Sequence, residues 1–284
     1  MDALLASKPQ TYKQLLKRSL ILYRVGFLRV IPFALILSFF VFTPRLLFYF
    51  TGESFLVLLN DPMSPYQLIL VGINILVFTV FIAILWHLYC EIKKMHESLT
   101  EDIILGIRKI ISVFLAVLIV GITIRAVMWI TYWLLGSFFQ SHLFTANIRF
   151  FLALFALIGQ FFLLWYIYIL FIFFLPLIVI ENKDILHALG KSASLTWNHW
   201  WRVFSLQITP WICYFLFLTL LKDVFRLNIR IYFFMGPDAP SLLITFLHLL
   251  IFALFIPWIA ALLLIQLKDL ELRKSYQQNA HDLK

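Results

Sequence analysis

Few residues of this sequence could do chemistry, and the first group of them lies inside long apolar runs. Its ionisable members are Arg125, His87 and His248. A charge inside a membrane-crossing helix is costly, so such residues often help to move an ion or bind a substrate. Arg125, however, stands one helical turn before Trp129, and its long side chain could extend to the membrane surface instead. We favour this second interpretation over contact with a substrate or a lipid phosphate.

The two histidines have no partner at a nearby position in the sequence. We therefore favour a hydrogen bond to a neighbouring helix for both, with a metal ligand or a proton carrier as the alternative. Asn74, Gln160 and Gln266 are expected to bond neighbouring helices in the same way. Arg45 is assigned to the loop after the first apolar run, and no Asp or Glu is placed in the core of any run. The predicted spans therefore lack the carboxylates that usually carry protons in a proton-coupled pump.

The second group is a polar stretch between two apolar runs. Its ionisable members are Glu181, Lys183, Asp184, His187, Lys191 and His199. These side chains could assemble a site that acts on phospholipid headgroups, although a charge run is more often a solvated surface. The chain contains no P-loop, HExxH or GxSxG motif, and Cys90 and Cys213 have no paired spacing. We predict no catalytic residue, no metal site and no cofactor.

Composition defines the elements that must position these residues. Of 284 residues, 63% are hydrophobic and 13% are charged, and the mean hydropathy is +0.96. Too few polar residues are present to cover a water-soluble core, so lipid must cover the fold. The formal net charge is +9, and the basic residues flank apolar runs. Anionic lipid headgroups are therefore the expected partner, and nucleic acid is not.

Six apolar runs are long enough for a helix to cross the hydrocarbon layer, which takes about 20 residues. The sequence thus predicts an all-α polytopic membrane protein, with residues 1–284 forming a single membrane domain and the six spans occupying 25–267. Pro176 should tilt or break the fourth run, which is overlong. The predicted spans are about 25–49, 68–89, 110–135, 150–180, 203–221 and 242–267.

Lys and Arg are concentrated in alternate connections of this six-span arrangement. The basic segments are those that an orientation with both termini inside places in the cytoplasm, as the positive-inside rule requires. We therefore predict a bacterial inner-membrane protein with cytoplasmic N and C termini, in which residues 268–284 form a cytoplasmic tail.

Two polar segments carry a helical pattern and are expected on the cytoplasmic side. In 184–201, one face is apolar, and the opposite face carries polar residues such as His187 and Lys191. This helix could lie along the inner leaflet or pack beneath the spans, and the pattern does not distinguish the two. In 5–24, Lys13, Lys17 and Arg24 share a face, which predicts a basic amphipathic helix. The apolar residues of 184–201 are Leu186, Leu189, Ala193, Trp197 and Trp200.

The run LPLIVIENKDILHALGKSASLTWNHWWRV, residues 175–203, resembles the YciC-like bacterial inner-membrane proteins. More distantly, it resembles the membrane domain found with some glycerophosphodiester phosphodiesterases. The resemblance implies six spans and residence in the inner membrane, and it supplies no catalytic residues. It is carried by Pro176, Glu181, Asn182, Lys183, Ser192, Leu195, Thr196 and Trp197, followed by the Trp200-Trp201-Arg202 run.

These observations favour a non-catalytic membrane protein that organises or senses membrane lipid or envelope components. Its expected partners are lipids of the cytoplasmic leaflet, together with a membrane-protein partner or a second copy of the chain. One alternative is a transporter of lipids or small molecules that uses Arg125. A second alternative is an enzyme acting on phospholipid headgroups, built on Glu181 and His187.

Overall fold

The computed structural model describes residues 8–51, 65–95, 99–140, 146–226 and 241–282. Within these ranges the chain forms eight α-helices and one 3₁₀ turn, and no β-strand. The helices are α1 (Tyr12–Thr51), α2 (Pro65–Lys93), α3 (Leu99–Gln140), α4 (Ala146–Leu170), α5 (Phe174–Val179), α6 (Ile185–Thr196), α7 (Trp200–Phe225) and α8 (Leu242–Asp282), and the 3₁₀ turn is Trp197–His199.

Six helical segments in the described part of the chain are long and apolar enough to cross a membrane. The prediction of an all-α, multi-pass membrane protein is confirmed. The chain divides into two compact units. The first unit comprises Met1–Ile111 and Phe204–Lys284, and the second comprises Ser112–Val203.

In the first unit, α1 packs against α8 and α2. The buried face of α1 repeats every three or four residues, as one side of a helix must. No break separates the predicted amphipathic helix 5–24 from the predicted first span 25–49, because residues 12–49 all belong to α1. Residues 8–11 are not helical, and residues 5–7 lie outside the described ranges. The buried residues of its first half are Leu15, Ser19, Leu22, Gly26 and Val30.

Helix α1 is bent. Ser19 Oγ accepts a hydrogen bond from Trp258 Nε1 at 3.1 Å, and the rings of Phe42 and Phe252 lie 5.7 Å apart. Along straight helices, Ser19 and Phe42 would be about 34 Å apart, but Trp258 and Phe252 only about 9 Å. Side chains cannot bridge that difference. A proline lies between the two contacts on each helix, Pro32 in α1 and Pro257 in α8. Each removes a helical hydrogen bond, which allows a helix to bend there.

In the second unit, the predicted fourth span 150–180 is interrupted. Helix α4 ends at Leu170, and α5 begins at Phe174. Pro176 has no N–H to donate to the carbonyl of Ile172, so the helical ladder fails there. The predicted amphipathic helix 184–201 corresponds to α6, the 3₁₀ turn and the first two residues of α7.

Candidate functional site

The first candidate surface is the exposed side of α1, opposite its buried face. It consists of Lys13, Lys17, Leu20, Arg24 and Leu28, spaced three or four residues apart; we call it the basic stripe. Leu28 is 81% exposed, so the stripe combines cationic and apolar side chains. Among the described residues, none pairs with its three cations. Helix α1 contains no Asp or Glu at all, and the stripe therefore suits an anionic, partly apolar ligand.

Arg29, on the same helix, behaves differently. Its Nη1 donates to Glu91 Oε1 of α2 at 2.6 Å. The structure therefore distinguishes Arg29, which is paired, from the three cations of the basic stripe, which have no partner among the described residues. The sequence pattern alone does not make this distinction.

The second candidate surface surrounds α6, where the residues that carry the family resemblance meet. Lys191 Nζ donates to both carboxylate oxygens of Glu181, at 3.0 and 2.7 Å. Lys183 Nζ lies 3.9 Å from Glu181 Oε2, and its backbone N–H donates to the carbonyl of Leu177 at 3.3 Å. Glu181 thus interacts with both lysines, and the polar turn is bonded to α5 through the backbone of Lys183.

Ser192 repairs the break between α4 and α5. Its Oγ donates to the carbonyl of Leu170 at 2.8 Å and accepts from the N–H of Phe173 at 3.2 Å. Both backbone groups lost their helical partners at the break, and a buried backbone group without a partner is costly. The motif residues Pro176, Leu195 and Thr196 are also buried. These positions of the motif are structural.

The tryptophans after α6 have unequal environments. Trp200 is half-buried, packs on Tyr166, and donates its indole N–H to the Tyr166 carbonyl at 3.4 Å. Trp197 and Trp201 are 63% and 70% exposed. Leu186, at the start of α6, is 74% exposed, whereas Leu189 is buried. The predicted apolar face is therefore split: α6 packs on α5 and α4, and three large apolar side chains stay uncovered.

Arg125 lies on an exposed side of α3, in the second unit. No side chain in the described ranges bonds its guanidinium. Trp129, one turn further along, is also exposed. Among the headgroup-enzyme candidates, His187 and Asp184 are exposed and lie 3.9 Å apart, while Glu181 is engaged by Lys191.

The sequence analysis missed a buried cluster in the first unit. Arg45 was assigned to a loop, but it is a buried residue of α1. Its Nη1 donates to His248 Nδ1 at 2.9 Å. Arginine has no acceptor, so Nδ1 must accept, Nε2 must carry the proton, and His248 therefore donates to the hydroxyl of Tyr214. Phe42 packs against both Arg45 and His248.

The interhelical roles expected of His248 and Gln266 are both observed. Gln207 Nε2 of α7 donates to Gln266 Oε1 of α8 at 2.7 Å, and both side chains are buried. No group of three or more His, Cys, Asp or Glu in the described ranges could hold a metal ion.

No protein-family model, curated protein or solved structure matches this chain. Its class therefore follows from its own structure: an all-α, multi-pass membrane protein.

Proposed function

We propose that this chain is a non-catalytic protein of the bacterial inner membrane that organises or senses anionic lipid in the cytoplasmic leaflet. The observation that carries this proposal is the basic stripe, whose three cations have no partner among the described residues. The resemblance to the YciC-like proteins and the concentration of Lys and Arg on one side support the inner membrane and cytoplasmic termini.

The stripe has the chemistry of a headgroup contact. Each Lys or Arg near an anionic leaflet contributes about 1 kcal/mol, so three together favour anionic over neutral lipid by a factor on the order of a hundred. Leu20 lies between Lys17 and Arg24, and Leu28 follows Arg24. Both leucines can enter the boundary between headgroups and acyl chains. A soluble anion would use only the charges, whereas a lipid would use both kinds of side chain.

The test is the composition of the lipid that remains bound when the full chain is extracted in native membrane patches without detergent. Lys13→Gln, Lys17→Gln and Arg24→Gln are combined in one variant. The matched control combines Arg125→Gln, Lys222→Gln and Arg226→Gln, which removes the same charge from three other exposed positions without a described partner.

Mass spectrometry should show enrichment of anionic phospholipid over bulk membrane for the wild type and for the control. The stripe variant should lose most of this enrichment while it inserts and purifies normally. An unchanged lipid profile, or an equal loss in the control, would refute the proposal.

A further inference from the structure

A separate site lies where α2 meets the start of α3, within the first unit. His87 Nδ1 of α2 lies 2.7 Å from Asp102 Oδ2 of α3. Asp102 has no exposed surface, and His87 is buried as well. The sequence placed Asp102 in a loop between spans, but α3 begins before it, at Leu99. A buried carboxylate therefore faces a buried imidazole near the ends of two membrane-crossing helices.

Neither side chain is fully satisfied. Asp102 Oδ1 and His87 Nε2 are buried and form no hydrogen bond with any described residue. The atom nearest to Nε2 among the charged groups is Glu91 Oε1, at 3.9 Å, which is beyond hydrogen-bonding distance. Both nitrogens of the imidazole thus face carboxylates, one in contact and one nearby.

The surrounding charges leave Asp102 without compensation. Glu91 of α2 is paired with Arg29 of α1, so their charges cancel. Helix α8 also packs on α2, but its buried carboxylate, Asp269, accepts from Arg273 at 2.9 Å and from the N–H of Gln10 at 2.7 Å. Of the charged groups in the described ranges, only His87 is placed to balance Asp102.

An ionised carboxylate that is buried without a counter-charge costs several kcal/mol. The pair removes this cost by holding one proton, either as imidazolium with carboxylate or as imidazole with carboxylic acid. Both forms carry zero net charge. In the form with imidazolium and carboxylate, the positive charge of His87 also lies near Glu91. Because Glu91 is paired with Arg29, these charges link α2 to α1 as well.

We infer that His87 and Asp102 form a buried proton-binding site that fastens the start of α3 to α2. The inference does not depend on the basic stripe, which lies on the exposed side of α1. Removing the proton leaves an uncompensated charge at the junction and loosens it. The contact between α2 and α3 is therefore expected to weaken when the pair loses its proton.

Cys90 provides a reporter of this junction. It lies three residues after His87 on α2 and is buried, so a thiol reagent reaches it only when the packing around this part of α2 opens. The experiment uses the full chain in lipid nanodiscs with Cys213→Ser, which leaves Cys90 as the single thiol. Its labelling by N-ethylmaleimide is followed from about pH 5 to 8, where imidazole exchanges its proton.

Maleimide reacts with the thiolate, whose fraction itself rises with pH. Every rate is therefore divided by that of a His87→Lys variant, which places a permanent cation opposite Asp102 and holds the junction closed at every pH. Asp102→Asn removes the buried carboxylate of the proton-binding pair. His187→Gln, at an exposed histidine, is the matched control.

At low pH, Cys90 in the wild type and in the control should be labelled at the same rate as in His87→Lys. At high pH it should be labelled about tenfold faster than in His87→Lys, which corresponds to about 1.4 kcal/mol. The corrected rate of Asp102→Asn, which lacks the buried carboxylate, should not vary with pH. A wild-type ratio that stays flat overturns the inference, and so does pH dependence that survives in Asp102→Asn. The comparison of wild type with His87→Lys decides the matter even where the other variants fail to fold.

Discussion

The hydroxyl of Ser192 on α6 donates a hydrogen bond to the carbonyl of Leu170, the last residue of α4. Together with its acceptance from the N–H of Phe173, it replaces two backbone bonds that are lost where α4 ends. A side chain from one helix thus completes the backbone of another, which makes the break a fixed feature of the second unit.

Ser192→Ala should lower the free energy of unfolding by about 1–3 kcal/mol, because it leaves the N–H of Phe173 and the carbonyl of Leu170 buried without partners. Thermal unfolding in detergent, followed by tryptophan fluorescence, measures the change. The control is Ser194→Ala, two residues away and exposed, where little change is expected. Equal stability of the two variants would contradict the role given to Ser192.

Gly106→Ala should destabilise the first unit by about 1–3 kcal/mol. A Cβ at Gly106 would lie 2.8 Å from the carbonyl oxygen of Thr79, and the backbone of α2 cannot move aside cheaply. At Gly121, farther along the same helix, a Cβ meets nothing within 4 Å. Gly121→Ala should therefore stabilise the helix by about 0.5–1 kcal/mol. Relative to the wild type, the melting temperature should fall for Gly106→Ala and rise for Gly121→Ala.

Tyr214→Phe should cost about 1–3 kcal/mol, because the buried Nε2–H of His248 loses its acceptor. Thr219→Val, on the same helix, removes an exposed hydroxyl that bonds only its own helix, and it serves as the control. If Tyr214→Phe unfolds like the wild type, His248 does not donate to Tyr214, and the proton arrangement assigned to this cluster is wrong.

Trp197→Ser with Trp201→Ser should leave folding intact, since both side chains are exposed. In vesicles that contain brominated lipids, this double variant should show less fluorescence quenching than the wild type, as expected for indoles at the membrane surface. Trp200→Ser should instead cost about 2 kcal/mol, because a half-buried ring leaves the face of Tyr166. Undiminished quenching in the double variant would show that these two tryptophans do not reach the lipid.

Arg125→Leu should insert and unfold like the wild type, because no side chain in the described part of the chain bonds its guanidinium. Limited proteolysis of vesicles and thermal unfolding test the two halves of this expectation. A folded variant that no longer supports uptake of a substrate would instead favour the transporter alternative.

The sequence predicted the six spans because hydropathy over about 20 residues is a local property. It also predicted that Pro176 would tilt or break the fourth span, since the missing N–H belongs to the residue itself. Burial of Arg45 and Asp102 could not be predicted, because it depends on which face of α1 meets α8 and which face of α3 meets α2. The bond from Ser192 to Leu170 joins residues of two different helices, α6 and α4, that are 22 positions apart in the sequence. No periodic pattern encodes it.

The pairing of α1 with α8 also bears on how the protein is made. Ribosomes synthesise α1 before α8, and more than two hundred residues separate Leu15 from the α8 residues that bind its neighbours, such as Trp258. The buried face of α1 must therefore stay in the membrane, shielded by lipid, by α2 or by an insertion factor, until α8 has been synthesised. The first unit is in this way assembled only after all residues of the second unit have been made.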